Sequence, residues 1–180
     1  MKNQNTKKMA YAALFLALCI VLPMLTGQIP QIGSMLLPMH IPVLLCGLVC
    51  GWQYGAAVGF VAPLLRSVLF GMPPMYPVAI AMAFELLTYG LVIGLVYRRM
   101  AQKGAAGVYA ALLTAMVAGR LVWGVAEVVL LGLGGKAFTA QAFLAGALLN
   151  AVPGIIVQLV LIPAVMAALQ KAGAVKEYAE

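Results

Sequence analysis

The chain has 180 residues, 65% of them hydrophobic and only 8% charged, with a formal net charge of +7. Ordinary globular sequence is roughly a quarter charged, so the composition excludes a soluble domain and points to an integral membrane protein. The positive excess is not a nucleic-acid footprint, because the basic residues fall at the ends of apolar runs, where they act as topology signals.

The start, MKNQNTKKMAYAALFLALCIVLPML, has the basic head and apolar run of a signal peptide. No small-x-small cleavage site follows, so it is expected to be an uncleaved first span, roughly 9–25. A second run at 36–51 is short for a span, which needs about 20 residues. The tight turn Gly51-Trp52-Gln53-Tyr54-Gly55 leads into a third run at 54–71, and GMPPMYP into a fourth at 77–97. The fifth, 105–132, is long enough to tilt, and GLGGKAFT separates it from the sixth, 141–169. The runs are continuously apolar and not alternating, which predicts helices and not barrel strands. The expected fold is therefore an all-α membrane bundle of six transmembrane helices, one domain over 1–180.

Loop charges orient that bundle. Lys2, Lys7 and Lys8, then Arg98, Arg99 and Lys103, then Lys171 and Lys176 all fall on one side of six spans, and only Lys136 on the other. The positive-inside rule places both termini in the cytoplasm of a multi-pass protein of the plasma membrane.

Within the spans lie Arg66, Glu85, Arg120 and Glu127, each costly at bilayer depth unless paired or hydrated, so each is a candidate for lining a binding site. Arg120, Trp123 and Glu127 fall at i, i+3 and i+7 on one stripe of the fifth span, and Glu85 and Tyr89 at i, i+4 on the fourth. His40 lies near the outer end of the second span and Asn150 two to three turns inside the sixth. Arg can clamp a carboxylate or phosphate, and Trp and Tyr can stack on a ring. The competing reading for Arg66 and Arg120 is a pairing with Glu85 or Glu127 that only holds the bundle together. His40 is equally a ligand contact or a helix-start hydrogen-bonder. Nearly all these groups fall in the outer half, and Gln158 is the expected exception. A pathway through the membrane needs polar groups at all depths, so the asymmetry favours capture of an extracellular solute over a stand-alone secondary carrier or channel, the alternative reading.

Cys19, Cys46 and Cys50 lie in apolar runs and read as buried small residues; with one His and no Asp, neither a metal site nor a cofactor is expected. Ser34 with His40 lacks a G-x-S-x-G setting, and no aspartyl dyad exists, so the chain does not read as an enzyme. No G-x-x-x-x-G-K-[ST] is present. Gly47, Gly51, Gly55 and Gly59 recur every four positions across the turn between the second and third spans, which predicts close packing of two adjacent helices.

The stretch LPMHIPVLLCGLVCGWQYG, then LLRSVLFGMPPMYP and AMAFELLTYG, between Leu37 and Gly90, resembles the substrate-binding S components of energy-coupling factor (ECF) vitamin transporters. Length, span number and the Lys-rich start before an alanine-bearing first helix extend the resemblance over the whole chain. It implies a docking surface at Ala13 and Ala17 of the Ala-x-x-x-Ala type, facing a transmembrane coupling subunit. It also implies energy from two cytosolic ATPases, a lid at residues 26–35, and toppling of the loaded subunit in the membrane lipid. The substrate implied is a vitamin or precursor, and the mixed charges suit a polar or zwitterionic molecule with an acid group; pantothenate, a pyridine or pyrimidine precursor and cobalamin all stay open.

Overall fold

A computed structural model describes residues 2–25, 35–100, 104–135, 137–146 and 150–173. Its helices are α1 Lys2–Leu25, α2 His40–Cys50, α3 Trp52–Phe70, α4 Ile80–Met100, α5 Ala105–Leu133, α6 Ala140–Leu144 and α7 Val152–Lys171. A wide turn, Met75–Ala79, with Tyr76 extended at φ −115 and ψ 133, leads into α4. In lipid every backbone N–H and C=O must find a partner inside its own segment, so long apolar runs of this kind fold as helices.

Among the described residues five helices are long and apolar enough to cross a membrane: Gln4–Leu25, Trp52–Phe70, Met75–Met100, Ala105–Leu133 and Val152–Lys171. The expected second span is shorter than the sequence suggested. Pro38 disfavours helix in the residue before it, Leu37 takes a positive φ of 51, and the helix begins only at His40, with Pro42 tolerated in its first turn. At 1.5 Å per residue its 11 residues cover about 16 Å, half a hydrocarbon core. It is also buried almost throughout, Val43, Leu44 and Cys46 completely, so α2 is a central helix shielded from lipid by its neighbours.

The expected sixth span, 141–169, is broken as well. Pro153 sits in the first turn of α7, where its missing N–H costs nothing, and the helix starts there. What precedes it is the five-residue α6, capped by Thr139 accepting from the Ala142 N–H at 3.2 Å.

Neighbouring helices run antiparallel. Gly59 of α3 faces Leu86 of α4, Gly55 faces Gly90, and Gly94 faces Trp52; Tyr89 of α4 faces Gly119 of α5, and Gly107 faces Met100. Thus α1, α3 and α5 finish at the end of the bundle where α2, α4 and α7 begin, and this end is called the pocket end below. The glycine series joins three helices, not two. A Cβ on Gly55 would stand 2.7 Å from Gly47 Cα and 2.8 Å from Gly90 O, closer than real Cβ atoms come. Gly51 plays a different part: its φ of 96 allows α2 to turn into α3 at a single residue. Around this seam pack Leu44, Leu48, Leu86, Tyr89, Ile93, Leu112, Ile162 and Met166.

A side chain at Gly90 must push against the α3 backbone, which cannot move as a flexible side chain can. Gly90→Leu is expected to lower stability by about 3 kcal/mol or more, read as a fall in the thermal midpoint of the detergent-purified protein. Gly132→Leu, with open space at its Cβ, is expected to leave that midpoint within a degree or two. Equal behaviour of the two variants would rule out the three-helix seam.

Candidate functional site

Glu85, one-third of the way along α4, is 1% exposed and lies between two basic groups from other helices. Its Oε1 stands 2.9 Å from Arg120 Nη1 of α5 and 3.4 Å from His40 Nε2 at the start of α2. Both are ion-pair approaches off the hydrogen-bond axes, which leaves Glu85 Oε1 and His40 Nε2 without aligned partners. The His40 backbone N–H bonds to Leu37 O at 3.0 Å, so this residue starts the helix with its main chain and joins the charge cluster with its ring.

Aromatic rings enclose the cluster. Tyr89, one turn beyond Glu85 on the same face of α4, meets the His40 ring edge-on at 5.2 Å between centroids. Gly119 makes room for it: a Cβ there would lie 2.7 Å from Tyr89 Cε1. The Arg120 guanidinium lies 5.9 Å from the Trp123 ring, within reach of a cation–π attraction. Trp123 in turn is stacked with Phe143 of α6 at 6.1 Å and meets Phe138 edge-on at 5.7 Å. Glu127, 6% exposed, continues the α5 stripe about 10 Å from Arg120 along the axis. At the same end Tyr76 donates a hydrogen bond from its hydroxyl to Leu130 O, tying the turn before α4 to the end of α5.

The structure therefore brings together His40, Glu85, Tyr89, Arg120 and Trp123, with Glu127 further along the same face of α5. Arg66 goes elsewhere. It is 3% exposed, its Nη1 donates to Ile20 O of α1 at 2.8 Å, and its guanidinium lies 5.5 Å from the Phe70 ring. The ion pairs among the described residues do not include it. Asn150 is exposed in the turn ahead of α7 and not two turns inside a span, because the span begins later than expected.

The same shift moves Gln158 the other way. With α7 starting at Val152, Gln158 belongs to its pocket-end half, not to the opposite half. The buried stripe of α7 is Gly154, Gln158, Ile162 and Met166. Gly154 abuts Met35 and Leu36, so Gln158, one turn on, is carried to the level of His40. It is 1% exposed with Nε2 unpartnered. The Pro153 helix-start signal could have revealed this; Phe138 and Phe143 carried no signal that separates them from ordinary apolar residues.

Tyrosines and cysteines apart, the buried polar side chains among the described residues, His40, Arg66, Ser67, Glu85, Glu127 and Gln158, lie in the pocket-end half. At the other end Gln170 Nε2 donates to the Tyr97 hydroxyl at 3.1 Å in a partly buried contact. Among the described residues no group of three His, Cys, Asp or Glu side chains could hold a metal. On α1, Ala13 and Ala17 face outwards and are exposed. The expected lid, 26–35, lies outside the described residues apart from Met35, as do the loop charges Lys103, Lys136 and Lys176.

Membrane-length helices around buried Arg, His and Glu side chains make this a multi-pass membrane protein with a polar site inside the bundle. The chain belongs to the family of ECF transporter substrate-specific components, whose family model matches residues 7–167. That family is a transporter component and not an enzyme family, and membership gives the chain a vitamin-type transport role with a substrate and the ECF module as partners. Among curated proteins and among solved structures no significant match is found.

Arg66 is expected to act on the joint between α1 and α3. Arg66→Met removes a charge-assisted bond across that joint and should reduce stability by roughly 1–3 kcal/mol, measured as the thermal midpoint of the purified chain. A loss of substrate affinity with an unaltered midpoint would instead return Arg66 to the pocket.

Proposed function

We propose that the chain captures a water-soluble vitamin or vitamin precursor from outside the cell, as the S component of an ECF-type importer of the prokaryotic plasma membrane. The carrying observation is that the buried charged and amide side chains among the described residues lie in one half of the bundle, around Glu85, Arg120 and His40. A pocket open to one side needs polar groups on that side only; a channel or stand-alone carrier needs them through the thickness. In this reading the whole chain acts as one membrane domain, α2 serves as the sixth, short span, both termini are cytoplasmic, and the pocket end faces outwards. His40, Glu85, Tyr89, Arg120, Trp123 and Glu127 line the site, joined by Gln158.

The other half of the function lies on α1. The exposed Ala13 and Ala17, one turn apart, leave a flat strip on which a helix of the coupling subunit can lie closely. Two cytosolic ATPases acting through that subunit would supply the energy, and the loaded chain would topple to deliver its pocket inwards.

Two experiments test these halves. Mass spectrometry of small molecules released on denaturing the purified chain should find a stoichiometric vitamin or precursor, and Arg120→Ala should abolish its retention in a monodisperse protein. Retention unchanged in that variant would defeat the pocket assignment. Ala17→Trp should prevent co-purification with the coupling subunit and ATPases while leaving ligand retention intact; a complex that still forms would move the docking surface away from α1.

A further inference from the structure

We propose that the site selects its solute by a carboxylate gripped on the free edge of Arg120, with Glu85 as the positioning residue that turns that edge towards the ligand. The proposal rests on the solute-capture reading above and names the chemical class it takes. A guanidinium carries five N–H donors in a rigid plane, and each two-donor edge matches the paired oxygens of a carboxylate. Arg120 Nη1 is engaged at 2.9 Å by Glu85 Oε1. Nε and Nη2, which together form the edge away from Nη1, are both buried and unpartnered.

Unpartnered donors on a buried cation are costly, and two parallel acceptor oxygens meet both at once. A carboxamide cannot do this, since it offers one acceptor oxygen and turns N–H against N–H at the second position. Glu85 does not itself fill the edge. Its Oε1 lies on Nη1 and is also approached by His40 Nε2 at 3.4 Å, which holds the guanidinium rotation from α4.

The same stripe of α5 sets the ligand's length. Glu127, buried and two turns from Arg120, places an acceptor about 10 Å along the helix axis, with Trp123 between the two. The solute is then a monocarboxylate with an apolar or ring body and, at its far end, a hydroxyl, amide or ammonium donor. His40 Nδ1 and Gln158 Nε2, also buried and unpartnered, are available to polar groups along that body.

The test is isothermal titration calorimetry on the full chain in detergent with acids and their neutral partners. The probes are biotin and biotinamide, nicotinate and nicotinamide, and pantothenate and panthenol, with thiamine as a cation. Any acid that binds should do so about 100-fold more tightly than its neutral partner, the scale of a lost charge-assisted pair. Arg120→Lys, which keeps the charge and loses the fork, should weaken the acid about 10-fold or more. Glu85→Gln should narrow the acid-to-neutral ratio, which a purely structural role would not change.

A neutral or cationic probe binding as tightly as the acids would overturn the carboxylate clamp and leave solute capture standing. A ratio unmoved in Glu85→Gln would remove Glu85 from its positioning role. Should none of the probes bind while a small molecule is released on denaturation, the absence of a carboxylate from that molecule would equally overturn the clamp. No binding and no released molecule would defeat the capture reading itself.

Discussion

A carboxylate cannot be left alone inside a membrane bundle, and the arrangement around Glu85 follows from that constraint. An isolated charge in low dielectric costs many kcal/mol, and removing one partner of a buried pair typically costs about 3–5 kcal/mol. Glu85 is therefore tied to where Arg120 and His40 can reach it, which fixes α5 and the start of α2 against α4. Apolar packing alone is a weak guide to register in lipid, because lipid tails are as apolar as leucine. The ion pair sets a register that close packing then holds.

Close packing needs small residues, and they lie where the charges require them. Gly119 stands immediately before Arg120 and leaves space for Tyr89, so α4 and α5 approach closely enough for the arginine to meet Glu85. Gly47, Gly55 and Gly90 bring the backbones of α2, α3 and α4 together on the far side of the same helix. With α4 held on both sides, Glu85 and Tyr89 project from a stiff element, which is what a binding group requires if its geometry is to survive loading and unloading.

Much of this was legible in the residues. Charges inside apolar runs marked Glu85 and Arg120, and the i, i+3, i+7 spacing put Arg120, Trp123 and Glu127 on one face. Hydropathy could not say which charge meets which: Arg66 reads like Arg120 in the sequence, yet its bond runs to a backbone carbonyl of α1, a partner with no sequence signature. The misplaced boundaries have a common cause. A continuous apolar run does not reveal where a helix breaks, so 36–51 and 141–169 look like unbroken spans in the sequence although the helices start at His40 and Val152, beside Pro38 and Pro153. Moving the last start to Val152 carried Asn150 out of the bundle and Gln158 into its pocket-end half.

That correction strengthens the one-sided character of the site. The lipid-facing residues of α7, among them Ile156 and Val160, are exposed, and only the narrow stripe Gly154, Gln158, Ile162 and Met166 is buried. Within that stripe a single polar side chain occurs, Gln158 in the pocket-end half. Below it the stripe is Ile162 and Met166, both fully buried, against an apolar core. Towards the opposite end lie the buried Cys46 and Cys50 thiols and the Tyr97–Gln170 contact. Among the described residues the buried stripe of α7 thus carries its polar side chain in the same half of the bundle as the Glu85–Arg120 pair, and the rest of that stripe is apolar packing.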